Sequence, residues 1–397
     1  MFLKLLNDKS SNIRRFIIIA LAFSFFIFLY FFNKVDRVEL VNQNGTEYEK
    51  AVVEEVIKDN IEADGSRVGN QEVKVRMLSG SKKGEIIDAT STSGYLYGAG
   101  CKENMKVIVS LSIEGDNYVA SVYSYNRGPI IYIFVGLFML ILWAIGGKRG
   151  FKSAIGLIFN FICIVFLFIP MLYKGYSPFL SAVIVGILIT IVTMYLIAGF
   201  SVKTISSILG TILGVILAGG AATLFGYFAK ISGYNVAEVE ELVFLSTKTN
   251  LSVGGILFAG ILIASLGAVM DVSISIASTI NEIYEKNDKL SSKELFISGI
   301  NVGRDMMGTM ANTLILAFTG GAINTLILIY AYSMKYNQII NMYSIGIEIM
   351  QGISGSIGVV LTVPLVSFIT VKLLTGKLSR LIGNSALNEV GKESKVS

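Results

Sequence analysis

Apolar residues come in unbroken runs of bilayer length over most of this chain, and only between the first run and the second do they alternate with polar ones. A helix needs about 20 apolar residues to cross a bilayer. The runs at 16–32, 129–145, 153–173, 178–199, 204–229, 251–284, 302–332 and 343–374 therefore predict eight transmembrane helices. Residues 33–128 are different: polar, of mixed charge, with short β-like runs at 51–57, 72–78, 85–90, 106–113 and 118–123. Glu72-Val73-Lys74-Val75-Arg76-Met77 alternates strictly, as a half-buried strand does. Turn-like stretches such as Ser79-Gly80-Ser81-Lys82-Lys83-Gly84 separate the runs. Five short strands in this length predict a small closed β-barrel, OB-like in outline.

The expected fold class is thus a mainly α membrane protein, eight transmembrane helices with an extracytoplasmic β-barrel-like domain after the first. The domains read as 1–15, a cytoplasmic N-terminus; 16–32, a signal anchor; 33–128, the β-rich domain; 129–374, a seven-helix membrane domain; and 375–397, a cytoplasmic tail. A cleaved signal peptide is the alternative for 16–32, but the run stays rich in Phe and Ile to its end and lacks a small-x-small cleavage site.

Composition agrees with this reading. The chain is 53% hydrophobic and only 15% charged, with a mean hydropathy of +0.67; soluble domains carry about 25% charged residues. The predicted short outer loops hold only Lys174, Lys230, Lys248 and Lys335, and the cytoplasmic segments hold most of the remaining Lys and Arg outside 33–128. That bias places both termini inside. The net charge of +5 follows from it and calls for no nucleic acid. There is no histidine, which removes the commonest general base and metal ligand. The two cysteines form no Cys-x-x-Cys; Cys101 reads as an exposed thiol of no assigned role, and Cys163 lies in an apolar run. No cofactor and no metal site are expected. No Gly-x-x-x-x-Gly-Lys-Ser/Thr loop is present, so any transport would be secondary or energised by a partner.

The candidate chemistry lies in two polar stripes. Asp271 is the only charge between Lys248 and Glu282, and Arg304-Asp305 opens an uncharged run that lasts to Lys335. At helical spacing Asn301, Asp305, Thr309 and Asn312 share one face, with Thr313 beside them, and Asp271, Ser275 and Ser278 share another. Charges at membrane depth normally face a protein interior or a wet cavity. The stripes are therefore expected to face each other across an ion or solute path of Asp271, Ser275, Arg304, Asp305, Thr309 and Asn312, with Asp305 near the cytoplasmic surface. The alternative is structural: Asp271 pairs with Arg304 across a short hairpin, and the polar groups only join helices. Glu348 reads as snorkelling outward, Asn160 as a packing contact, and Glu238, Glu240 and Glu241 as a solvated loop. Gly210-x-x-x-Gly214, Ala218-Gly219-Gly220-Ala221-Ala222 and the glycines at 352, 355 and 358 read as close helix contacts.

Three runs carry a family resemblance: Gly147-Lys148-Arg149-Gly150, Met270-Asp271-Val272-Ser273-Ile274-Ser275-Ile276-Ala277-Ser278, and Gly303-Arg304-Asp305-Met306-Met307-Gly308-Thr309-Met310-Ala311-Asn312-Thr313-Leu314. Through them residues 146–374 resemble the YibE/F-like family of bacterial multi-pass membrane proteins. The resemblance implies a bacterial cytoplasmic membrane protein with a permease-like role; it assigns no substrate. The expected function is transport of a small solute or ion through intramembrane carboxylates. The alternative is a non-transporting scaffold whose 33–128 domain binds an envelope partner. Two Asp on consecutive helices also invite comparison with intramembrane aspartyl proteases, but Gly303-Arg304-Asp305 is not Gly-x-Gly-Asp and Met270-Asp271 is not Tyr-Asp, so an enzyme is not the expectation.

Overall fold

Alternation along the polar segment becomes a barrel. The computed structural model describes residues 20, 22–35, 40, 43–63, 65–92, 98–114 and 117–376, in two compact units, Glu39–Ile145 and the remainder. In the first, strands β1 (Thr46–Lys58), β2 (Asn70–Met77), β3 (Ile86–Thr92), β4 (Lys106–Glu114) and β5 (Asn117–Tyr125) overlap all five predicted runs. They close in the order β1-β2-β3-β5-β4, with only β3 and β5 parallel. This closed five-stranded sheet is the small β-barrel expected. Along β2 the inward positions Gln71, Val73, Val75 and Met77 are buried and their neighbours are not. Two register shifts in β1, at Val53/Glu55 and Val56/Lys58, accompany its pairing with both β2 and β4.

Cys101 corrects an expectation. It is 2% exposed and packs in the barrel core. Its N–H donates to Gln71 Oε1 at 2.8 Å, and Gln71 Nε2 donates back to the Cys101 carbonyl at 3.0 Å. Burial pushes the thiol above its ordinary pKa. A polar loop position gave no hint of this, because its backbone hydrogen bonds come from Gln71, thirty residues away.

The second unit is helical. A short apolar helix α1 (Ala22–Phe32) stands within the first predicted span; residues 16–19 and 21 lie outside the described ones. Among the described residues, five helices are long and apolar enough to cross a membrane, or six if one bent pair is a single span. The expected eight separate spans are thus only partly resolved. Runs 129–145 and 153–173 fall in one helical stretch, Gly128–Tyr173. It comprises α2 (Gly128–Cys163), a π turn (Ile164–Phe168) and α3 (Ile169–Tyr173), and is interrupted at Gly147 (φ 54, ψ −134). Its 46 residues exceed twice the number that crosses a ~30 Å core. At the π turn the Asn33 side chain donates to the Phe166 carbonyl at 2.7 Å, and Phe25 meets Phe159 at 5.6 Å between ring centres.

After α4 (Pro178–Ala198) come α5 (Val202–Ala229), the short α6 (Val239–Lys248), α7 (Ile256–Lys286), α8 (Ser292–Gly321), α9 (Ile323–Ala331), the short α10 (Tyr336–Ile340) and α11 (Tyr343–Thr375). Of the expected glycine contacts, those of Gly210, Gly214 and Gly358 form between α5 and α11, those of Gly219, Gly352 and Gly355 are with other helices, and Gly220 faces open space. A Cβ on Gly210 would collide with Val366, one on Gly214 with Thr362, and one on Gly358 with Ala218. Two buried hydroxyls of α11 are satisfied within their own helix, Thr362 by the Gly358 carbonyl at 2.7 Å and Ser367 by that of Val363 at 2.8 Å, whereas the buried hydroxyls of Thr211 on α5 and Thr370 on α11 have no partner among the described residues.

The run predicted at 302–332 differs in two ways. Its helix starts ten residues earlier, at Ser292, because Ser291 and Glu294 form a capping box. It also breaks after Gly320-Gly321, and α9 departs at 60°.

Candidate functional site

Which way Asp271, Arg304 and Asp305 point follows from how α7 and α8 pack. On α7, Leu262, Val269, Val272, Ser273, Ile276 and Ile280 are buried against the bundle. The opposite stripe, Gly260, Ala264, Gly267 and Asp271, is exposed, and Ser275 and Ser278 continue it half-buried. On α8, Leu295, Gly299, Gly303 and Leu314 face inward. A Cβ at Gly299 would meet Ile280 and Ser367, and one at Gly303 would meet Val363, so α8 presses against both α7 and α11 there. Half a turn away, Asn301, Arg304, Asp305, Thr309, Asn312 and Thr313 are all exposed.

Both stripes thus lie on the open side of the bundle rather than in its centre. Among the described residues, no ion pair or hydrogen bond engages the side chains of Asp271, Arg304, Asp305 or Asn312. The hairpin pair Asp271–Arg304 does not form, nor does an Arg304–Asp305 pair. Thr309 Oγ1 approaches only its own helix, the Asp305 carbonyl at 3.5 Å, and Thr313 Oγ1 bonds the Thr309 carbonyl at 2.9 Å.

The early start of α8 also moves the charges. Arg304 and Asp305 are the thirteenth and fourteenth residues of a 30-residue helix, about 20 Å along it. Asp305 is thus mid-helix, as is Asp271 in the 31 residues of α7. A charged side chain at mid-bilayer costs about 2.5–3.5 kcal/mol even on the mildest scale. Three of them facing hydrocarbon would offset much of the ~5–15 kcal/mol by which folded proteins are stable.

Cavities of about 510 and 240 Å³ lie elsewhere, beside α1 and the π turn, where Leu29, Asn33, Phe166 and Tyr173 are among the lining residues. Asn160, expected as a packing contact, accepts a hydrogen bond from Thr193 Oγ1 at 3.0 Å. Glu348 is half-buried in the first two turns of α11. The unexpected part of the site is the bare stripe Gly260, Ala264 and Gly267. A Cβ at either glycine would meet nothing within 4 Å. Its signal was present in the sequence, as small residues at three- and four-residue spacing leading to Asp271.

A family model described as YibE/F-like protein matches residues 134–376, which include every residue of both stripes. No curated protein sequence and no solved structure matches the chain.

Proposed function

Because the chain belongs to the YibE/F-like family, and because its long apolar helices make it a membrane protein, we propose that it is a permease-like secondary transporter subunit for a small solute or ion. The observation that carries this reading is the level and isolation of Asp271, Arg304 and Asp305. All three sit mid-helix on the open face of α7 and α8 with no ion pair or hydrogen bond to their side chains among the described residues. Thr309, Asn312 and Ser275 extend polarity along the same stripes. Such a surface suits a hydrated path in which the carboxylates meet a cation or exchange a proton. In this reading the Gly147 break separates two spans and α8 with α9 makes another, giving eight in all. Both termini then lie on the cytoplasmic side of a bacterial plasma membrane, with the barrel outside.

The test is flux into proteoliposomes over a panel of inorganic ions and small metabolites. Wild-type protein is expected to move at least one of them. Asp271→Asn is expected to slow that flux roughly tenfold or more while the protein stays folded and inserted. Flux unchanged by the substitution would contradict the reading. A second reading, a scaffold whose barrel binds an envelope partner, is favoured by the closed barrel itself, which carries the exposed pair Tyr48 and Tyr123 at 5.2 Å. A scaffold would tolerate Asp271→Asn and fail on deletion of 39–127.

A further inference from the structure

Among the described residues no counter-charge meets the charged face of α7 and α8, and the chain's other apolar segments carry few charges, all of them near helix ends. The run at 129–145 contains no Asp, Glu, Lys or Arg, and neither does the run at 16–32. Helix α4 has none either, α5 has only Lys203, at its second residue, and α11 has only Glu348, in its first two turns, and Lys372, in its last. The opposite charge that Asp271 lacks is Arg304, which this chain holds at mid-helix but does not pair with it. A second copy of the chain brings the same Arg304.

The depths match. Asp271 lies fifteen residues before the end of α7, and Arg304 twelve residues after the start of α8. At 1.5 Å per residue these are ~22 Å and ~18 Å from the short α7–α8 turn. A two-fold axis along the membrane normal keeps every residue at its depth, so Arg304 of one copy and Asp271 of another stand at nearly the same level. The face is also shaped for close approach. Gly260, Ala264 and Gly267 line α7 above Asp271, and Gly308 lies one turn beyond Arg304 on α8; a Cβ at any of the three glycines would meet nothing within 4 Å. Small residues let membrane helices pack backbone to backbone.

We propose that two copies of this chain pair through the open faces of α7 and α8, with Arg304 of each against Asp271 of the other. Asp305, Thr309 and Asn312 then line the seam between the copies. This rests on the transport reading only in placing the solute path at that seam; the pairing stands by itself.

The experiment is energy transfer between donor- and acceptor-labelled full-length copies, co-reconstituted at high lipid dilution. Wild-type copies are expected to associate. Arg304→Glu alone and Asp271→Arg alone are each expected to weaken association about tenfold or more. Mixing donor-labelled Arg304→Glu with acceptor-labelled Asp271→Arg is expected to restore it, because both symmetry-related contacts in the mixed pair regain opposite charge. Gly267→Leu, whose added side chain meets open space in a single copy, is expected to fold normally and also to weaken association. Wild-type copies that stay apart, single charge reversals without effect, or a mixed pair that does not recover would each overturn the proposal. Capture by some other protein in place of a second copy would do the same. Association without any flux would overturn the transport reading alone; flux sensitive to Asp271→Asn in protein that stays monomeric would overturn the pairing alone.

Discussion

The seam between α5 and α11 and the open face of α7 and α8 are built from the same kinds of residue, yet one is finished and the other is not. At the seam, Gly210, Gly214 and Gly358 bring backbones together, and Thr362 and Ser367 return their hydroxyls to their own helices. On the open face, among the described residues, Gly260, Gly267 and Gly308 have nothing against them, and Asp271, Arg304 and Asp305 have no counter-charge. In a bilayer, small and polar residues mark where a helix expects protein or water rather than lipid. The seam shows that expectation met within the chain, and the open face shows it left for something else.

The largest expected effect breaks the comparison at its tightest point. Gly214→Leu drives a side chain into Thr362 and Val269 and is expected to cost about 3 kcal/mol or more, read as loss of monodisperse protein after heating in detergent. Gly267→Leu, in the same detergent, is expected to stay within about 0.5 kcal/mol of wild type. Equal losses at both sites would remove the distinction between finished and open faces.

The barrel supplies a second finished site. Gln71→Ala removes the bonds to both backbone groups of Cys101 and one of the bonds to Asp59, and leaves the buried Cys101 backbone unpaired, at about 1–3 kcal/mol. The expected readout is faster thiol labelling of Cys101, which burial keeps slow in the native protein. A smaller effect tests the depth of the charges. Ser291→Ala removes the cap that starts α8 at Ser292, with about 1 kcal/mol lost and faster amide exchange confined to the first turn. If exchange instead reaches Arg304, that residue is nearer the helix end than its position shows.

The smallest effect is electrostatic and sits on the barrel surface. Glu47 accepts hydrogen bonds from the Ser81 hydroxyl and backbone N–H, which hold its carboxyl below the ordinary 4.5. The sign follows: the contact is fully present above 4.5 and is lost as pH falls through the depressed folded value. Amide exchange in the turn at 79–84, corrected for its intrinsic pH dependence, is expected to rise only below 4.5. Glu47→Gln should abolish that rise.

Much of the fold was legible. Strict alternation located the strands because a small barrel has a wet face and a dry one. Long runs located the helices because hydrocarbon tolerates little else. The same hydrocarbon hid the rest. Lipid-facing and core-facing positions are both apolar, so periodicity does not say which side of α7 or α8 packs, and Asp271 was expected to face inward. What revealed the packed face of α8 was Gly299 and Gly303, which press on α7 and α11. Its true start was masked by Lys293 and Glu294, which resemble a loop although Ser291-x-x-Glu294 is a cap. Cys101 looked exposed because nothing local foretells that Gln71, thirty residues away, bonds its backbone.

The central claim is that the open face of α7 and α8 does not meet lipid. A spin label at Thr309, compared with one at Ile184 on the exposed side of α4, measures this directly by collisional access of oxygen and of a water-soluble nickel complex in bilayers. The expected result is low oxygen access at Thr309, with or without nickel access, against high oxygen access at Ile184. Oxygen access at Thr309 equal to that at Ile184, with nickel excluded from both, would contradict it.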